Sequence, residues 1–247
     1  MINFKRKRRA YIMPILQMIR KILNILKKYA YPNYETPKSV YQIYVEDQNY
    51  QCFLHFKELL KSTLLLTTNK IRQHAIEEAI KNDISSEGYY LEFGVYSGTS
   101  IKFFSKYLKK NNIYGFDSFE GLKEHWFGTT VVKGTFDLKK KIPSLPKNVI
   151  PVAGWIQDTL QTFLNEKNPK INFVHIDVDT YETTKFILDL IKPRLVKGAT
   201  ILFDEFYNFE GWDVGEYKAL TEIFNKNEYK FEAFAYDGRQ ALIRILN

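Results

Sequence analysis

The chain has a single cysteine, Cys52, in 247 residues. That count excludes an internal disulfide framework and a cysteine-ligated zinc site, and it accords with a reducing compartment. No apolar run reaches the roughly 20 residues that a bilayer-spanning helix needs. The most apolar stretch, Ile15 to Tyr29, is interrupted by Arg20, Lys21, Lys27 and Lys28, and it lacks the small-residue cleavage site of a secretory signal. The Gly-x-Gly-x-x-Gly fingerprint of dinucleotide folds is missing, and no internal repeat or low-complexity run is visible. Acid is missing from one end: residues 1–28 carry nine Lys/Arg and no Asp or Glu. The rest of the chain holds 27 bases against 28 acids, so the net charge of +8 belongs to the arm. A near-neutral body argues against nucleic-acid binding.

What is present begins with that arm. At helical spacing, Ile15, Leu16, Met18, Ile19, Ile22, Leu23, Ile25 and Leu26 share one half of the wheel, opposite Gln17, Arg20, Lys21, Asn24, Lys27 and Lys28. Two readings stand: the apolar face packs on the body or a partner subunit, or it lies on an anionic membrane surface beside the Lys5–Arg9 run. The localisation expected is therefore cytoplasmic, with peripheral membrane contact through residues 1–28 as the second reading. Pro32 and Pro37 mark a break over 29–45. Helical stripes follow over 49–66 and 69–82; His55 on the first reads as a packed histidine. Residues 1–60 are thus a basic, amphipathic helical extension and lid, and residues 61–247 the main domain.

From Tyr89 the chain alternates strand and helix, which implies a parallel sheet covered on both faces. Strands are predicted over 89–93, 112–116, 149–152, 171–176 and 199–203. Helices are predicted over 99–109, 159–166, 181–191 and 216–225. Two last runs, 229–236 and 240–246, flank Asp237-Gly238, a hairpin signal. The expectation is an α/β Rossmann-like domain: a mostly parallel seven-stranded sheet ending in an antiparallel hairpin.

The first strand leads into Glu92-Phe93-Gly94-Val95-Tyr96-Ser97-Gly98-Thr99-Ser100. Ligands of open α/β sheets sit at such strand-end turns. A carboxylate at the turn disfavours a pyrophosphate and suits a cationic amino-acid head or a sulfonium, so the turn favours S-adenosylmethionine (SAM) over NAD. Asp117 ends the second strand, where a carboxylate takes both ribose hydroxyls of a nucleoside. Gly154-Trp155 ends the third, where Trp155 can stack on a base or simply fill the core. Asp177 and Asp179 leave the fourth strand, Asp204 and Glu205 the fifth. Neighbouring strands lie about 5 Å apart, so the four acids converge on one rim. Oxygen donors of this kind suit Mg²⁺, Ca²⁺ or Mn²⁺. His175 is a candidate base or an orienter of its acidic neighbours.

Six segments, 92–98, 115–122, 133–136 (Lys-Gly-Thr-Phe), 154–160, 175–184 (His-Ile-Asp-Val-Asp-Thr-Tyr-Glu-Thr-Thr) and 203–206 (Phe-Asp-Glu-Phe), resemble the macrocin O-methyltransferase family in kind and order. The resemblance covers about residues 60–247. It implies a class I SAM-dependent enzyme that methylates a hydroxyl of a sugar or sugar-containing small molecule. It implies Asp177, Asp204 and Glu205 as ligands of Mg²⁺ or a similar cation, and Asp179 as general base with His175 as rival. The SAM-binding candidates are Glu92, Phe93, Gly94, Val95, Gly98, Thr99, Ser100, Asp117, Ser118, Gly154, Trp155 and Asp177. Asp204-Glu205 stands where the family has Asp-Asp, and Tyr96-Ser97-Gly98-Thr99 where it has Trp-Arg-Gly-Gly. In the family the N-terminal side holds lid and oligomer contacts, which leaves a homo-oligomer open. Two other readings also stay open: catechol-type O-methylation, and a non-catalytic SAM-binding protein docked through its arm. A nucleic-acid methyltransferase is disfavoured, because the Asn/Asp-Pro-Pro-aromatic signature of the amino-directed enzymes is missing.

Overall fold

The computed structural model describes residues 18–23, 25, 26, 37–126 and 128–247. It divides into two units, Met1–Ile43 and Tyr44–Asn247. In the first, residues 18–23, 25 and 26 are helical, and Met18, Ile19, Ile22, Leu23, Ile25 and Leu26 are exposed. The Lys5–Arg9 run, the ends of the amphipathic stretch and Pro32 lie outside the described residues. No helix among the described residues is long and apolar enough to cross a membrane.

The break expected to last until Val45 ends earlier, because α1 (Val40–Ser62) starts at a reciprocal cap. The Ser39 amide donates to Gln42 Oε1 (2.8 Å) and the Gln42 amide to Ser39 Oγ (3.2 Å), which satisfies two amides at the helix start. α1 also stops earlier than its apolar stripe suggests. Leu64–Leu66 is not its last turn but a strand, β1. Thr67 then caps α2 (Thr68–Asn82) by accepting the Lys70 amide.

The rest follows the predicted alternation: β2 (Tyr89–Phe93), α3 (Thr99–Ser105), β3 (Ile113–Asp117), β4 (Val149–Ala153), α4 (Ile156–Lys167), β5 (Ile171–Ile176), α5 (Tyr181–Ile191), β6 (Leu195–Phe203), α6 (Glu216–Ile223), β7 (Tyr229–Ala235) and β8 (Ala241–Ile245). The sheet has eight strands rather than seven, in the order β1-β7-β8-β6-β5-β2-β3-β4. Only β8 runs antiparallel to its neighbours, β6 and β7. The extra strand is β1, which pairs parallel with β7 at the edge.

Alternation along the strands sends side chains to two cores. On one face Ile71, Ala75 and Ile76 of α2 and Phe104 of α3 pack on Tyr90, Phe173 and Leu202. On the other, Leu160 and Phe163 of α4, Ile187 and Leu188 of α5 and Leu220 of α6 cover Leu91, Phe93, Val174, Ile201 and Phe203. Phe56 of α1 is fully buried among the rings of Phe206, Tyr207, Trp212, Tyr217 and Phe234. Removing such a ring costs about 3–5 kcal/mol. The His55 ring lies against Phe56, Trp212 and Tyr217 while the residue remains exposed, and partial burial lowers its pKa.

The strand ends that matter are β2, β5 and β6. Their pairing continues one residue past each strand: the Asp177 amide donates to Phe93 O and the Asp204 amide to Ile176 O, both at 2.9 Å. Gly94 leaves β2 at φ +88, and a β-carbon there would lie 1.7 Å from Asp177 O. Only glycine lets the two chains approach so closely. Gly94→Ala should therefore destabilise the domain by about 3 kcal/mol or more, lowering Tm by roughly 6–12 °C. A thermal melt unchanged from the wild type would show that the approach is not as close as described.

Candidate functional site

The strand ends open into a cavity of about 290 Å³, near the small end of the range for small-molecule sites. One wall is the turn after β2, held by Asp117. Its Oδ2 accepts the Val95 and Tyr96 amides (2.8 and 2.7 Å), and its Oδ1 accepts the Phe119 amide (2.6 Å). The carboxylate expected to meet a ribose thus also shapes the loop, and it lines the cavity with Gly94 and Ser118. The β4 exit supplies the opposite side. Gly154, at φ +135, donates its amide to Asp117 O (3.0 Å) and leads to Trp155, which lines the cavity beneath the Lys123 ammonium, 5.5 Å from the ring centroid.

The third wall is acidic. Asp177, Asp179 and Glu205 line the cavity, with one carboxylate oxygen from each within 4.8 Å of the others. Asp179 sits in the left-handed region at φ +63, a strained setting for a non-glycine residue. Burial raises the pKa of all three, Asp204 adds to it, and Asp179 reaches about 7. Glu216, the first residue of α6, extends the cluster. It is fully buried, its Oε2 accepts the Glu205 amide (2.9 Å), and burial followed by the charge of Asp204 holds its pKa well above the usual range. Glu205 Oε2 and Glu216 Oε1 are buried without a hydrogen-bond partner. Buried carboxyl oxygens left unpaired, in a cluster of hard oxygen donors, fit a divalent cation of the Mg²⁺ or Ca²⁺ type.

The remaining candidates lie behind this wall rather than on it. Glu92 is fully buried; its Oε1 accepts from Ser100 Oγ (2.9 Å) and its Oε2 stands 3.2 Å from His175 Nδ1. His175 is equally buried, with Nε2 3.4 Å from Asp204 Oδ1. That oxygen also accepts from Arg72 (2.9 Å) and Gln240 (3.0 Å). Burial alone would lower the His175 pKa, but Asp204 and Glu92 outweigh it and raise it to about 10. Burial likewise opposes ionisation of Asp204, yet His175 and Arg72 hold its pKa below the usual carboxylate range. His175 is therefore not placed to touch a molecule in the cavity, because both ring nitrogens face carboxylates behind it. Phe93 stacks on Phe116 in the core, and Val95 and Ser100 are buried. Gly98 caps α3 at φ +80, and Thr99 Oγ1 lies 3.2 Å from Ser97 Oγ. These residues set the loop without lining the cavity.

Sequence reading missed Arg72, Glu216, Arg239 and Gln240. Glu216 had one available signal, a glutamate opening a helix just after a glycine. The other three come from segments far from any motif.

Replacing His175 by Gln removes the cation between two buried carboxylates, which should cost about 3 kcal/mol or more. Because folding raises the His175 pKa, its stabilisation is complete below the unfolded value of about 6.5 and is lost as pH rises through about 10. Thermal melts of wild type and H175Q should differ most near pH 6 and converge toward pH 10. A gap that is independent of pH would contradict the charged imidazole.

The comparisons with known proteins agree with this geometry. Residues 91–206 match the family described as a methyltransferase domain. No curated protein matches the chain significantly. Among solved structures, the fold is similar to the calicheamicin methyltransferase CalS11, at 20% identity and a TM-score of 0.57, over 85% of this chain and 94% of that one. It is similar to the O-methyltransferase NovP at 17% identity and 0.50, over 72% and 79%. A putative O-methyltransferase from Klebsiella pneumoniae gives 11% identity and 0.50, over 90% and 97%. At these identities the likeness to the solved structures is one of fold. Residues 91–206 are thus similar to a methyltransferase domain, and they lie within a Rossmann-like sheet whose strand ends build the cavity and its acidic wall.

Proposed function

We propose that the chain is a SAM-dependent O-methyltransferase that acts, with the help of a divalent cation, on a hydroxyl of a sugar or sugar-containing small molecule. The observation that carries this reading is the meeting of the Gly94 turn with Asp177, Asp179 and Glu205 on one cavity. Binding SAM alone does not need so many carboxylates in its neighbourhood. The sugar acceptor is supported by the likeness to CalS11, described as a TDP-rhamnose 3'-O-methyltransferase.

SAM would supply the methyl group, and a cation held by Asp177, Glu205 and the Asp204 oxygen that makes no bond to His175, Arg72 or Gln240 (Oδ2) would supply counter-charge to the acceptor oxygens. The chain's own work is to position and to move one proton. Methyl transfer is an in-line displacement, so the acceptor hydroxyl must be held in a near-attack arrangement. Asp179 receives the hydroxyl proton on its carboxylate as the oxygen attacks. Glu216 fixes Glu205 through its backbone amide, and His175 and Arg72 fix Asp204 from behind. Trp126 and Phe136 supply apolar surface to the cavity wall.

Thermal melts with S-adenosylhomocysteine (SAH) or NAD, paired with labelled methyl transfer from SAM to sugars and catechol, test this reading. SAH at 100 times its Kd should add about 2.7 kcal/mol, and NAD should add nothing. Asp179→Asn should lower transfer by about a hundredfold or more while leaving the SAH stabilisation intact. EDTA should abolish transfer and Mg²⁺ restore it. Absence of SAH stabilisation would overturn the reading, indifference to EDTA would remove its metal part, and transfer to catechol alone would replace the sugar.

A further inference from the structure

The segment 44–247 contains four arginines, and three have hydrogen-bond or ion-pair partners. Arg72 is bonded to Asp204. Arg194 donates to Leu164 O and Asn168. Arg244 binds Glu232 and Glu78. Arg239 is the exception. Among the described residues its guanidinium donates to no acceptor and forms no ion pair, although it is half-buried and lines the cavity. It is nonetheless fixed in place. Its carbonyl accepts the Phe206 and Tyr207 amides (3.0 and 3.2 Å), and its guanidinium lies 5.0 Å from the Phe209 ring centroid and 5.9 Å from that of Trp126.

A guanidinium packed on aromatic faces keeps its N–H edge free for a planar or tetrahedral oxyanion, which it binds through two parallel hydrogen bonds. Burying it partly without an acceptor loses hydration, and the two ring contacts leave its N–H donors unsatisfied unless a ligand completes them. Asp179 lines the same cavity, yet among the described residues no hydrogen bond or ion pair joins it to Arg239. A second cation, Lys123, stands on the same cavity over Trp155 with no carboxylate partner among the described residues. The cavity is therefore polarised: Asp177, Asp179 and Glu205 on one wall repel an anion, and Arg239 and Lys123 attract one. A single molecule satisfies both if it presents hydroxyls to the acids and an oxyanion to the arginine.

We infer that Arg239 is an anion-recognition residue of the acceptor site, and that the acceptor is a hydroxylated small molecule carrying a carboxylate or phosphoryl group. This rests on the O-methyltransferase reading above and narrows its substrate class.

The test is isothermal titration of the full chain, loaded with SAH and Mg²⁺, against matched probes. Glucuronate and galacturonate form the carboxylate arm, and glucose 1-phosphate and galactose 1-phosphate the phosphoryl arm. The methyl glycosides of glucose and galactose are the neutral partners. At least one anionic probe should bind about tenfold or more tightly than its neutral partner, and the arm in which it does so identifies the oxyanion. Arg239→Gln should erase that preference, and Arg239→Lys should keep part of it, since charge remains without the paired donors. SAH affinity should be unchanged in both variants, which also shows that they are folded. No preference in any wild-type pair would overturn the inference. So would an R239Q variant that keeps the preference, or one that loses SAH affinity and thereby assigns the arginine to the cofactor. Failure of the wild type to bind SAH would instead remove the methyltransferase reading beneath it.

Discussion

The compensation of buried carboxylates is the constraint on which this structure turns. Six acids crowd the ends of β2, β5 and β6 and the start of α6: Glu92, Asp177, Asp179, Asp204, Glu205 and Glu216. Left unpaired, each would favour the neutral acid or destabilise the fold. The protein solves this differently on the two sides of the sheet. Behind it, Asp204 and Glu92 are ionically paired through His175, and Arg72 from α2 and Gln240 before β8 complete the set. In front, Asp177, Asp179, Glu205 and Glu216 meet no such partner, and their pKa values rise. The rear half is compensated in charge by folding, although Arg72 Nε, Glu92 Oε2 and His175 Nδ1 are buried without a hydrogen-bond partner. The front half is left for something the folded chain does not itself provide, and a cation is the simplest way to complete it.

This division explains what the sequence could and could not reveal. The parallel sheet was legible because its strands are short apolar runs between Gly, Asn and Asp, and β5 and α5 fall where periodicity places them. The acids at the β5 and β6 exits were legible because strand ends in such a sheet share one edge. The Ser39–Gln42 cap was present in the sequence but masked by the nearby prolines. Leu64-Leu65-Leu66 continues the apolar stripe of the preceding helix, and only pairing with β7 makes it a strand. His175 reads from the sequence as an orienter of acidic neighbours, but which acids it compensates was not legible. Arg72 and Gln240, which complete the set on Asp204, lie more than thirty positions from it.

Asp117 shows the limits of assigning a role from position alone. As the carboxylate ending β3 it reads as a ribose ligand, and it does line the cavity. It also accepts three backbone amides, two of them from the turn after β2. Those amides would otherwise be unsatisfied donors in a tight loop beside Gly94, whose path is dictated by contact with the Asp177 carbonyl. Loop shape and a part of the cavity wall therefore reside in one side chain. A substitution there would change both, so loss of cofactor binding on its own would not separate them.

The C-terminal hairpin joins the two sides. Arg239 and Gln240 are consecutive in the turn before β8, and their side chains go to different partners. Gln240 reaches back to the compensated Asp204, while Arg239 reaches forward onto the cavity. The Phe206 and Tyr207 amides both bond the Arg239 carbonyl, so the turn is tied to the segment directly following Asp204 and Glu205. The antiparallel strand thus does more than extend the sheet. It sets one guanidinium opposite the uncompensated acids, at a spacing fixed by backbone hydrogen bonds rather than by flexible side chains. A site polarised in this way orients its ligand before any chemistry begins, because a molecule entering the wrong way round brings its anion against carboxylates and its hydroxyls against an unpaired cation.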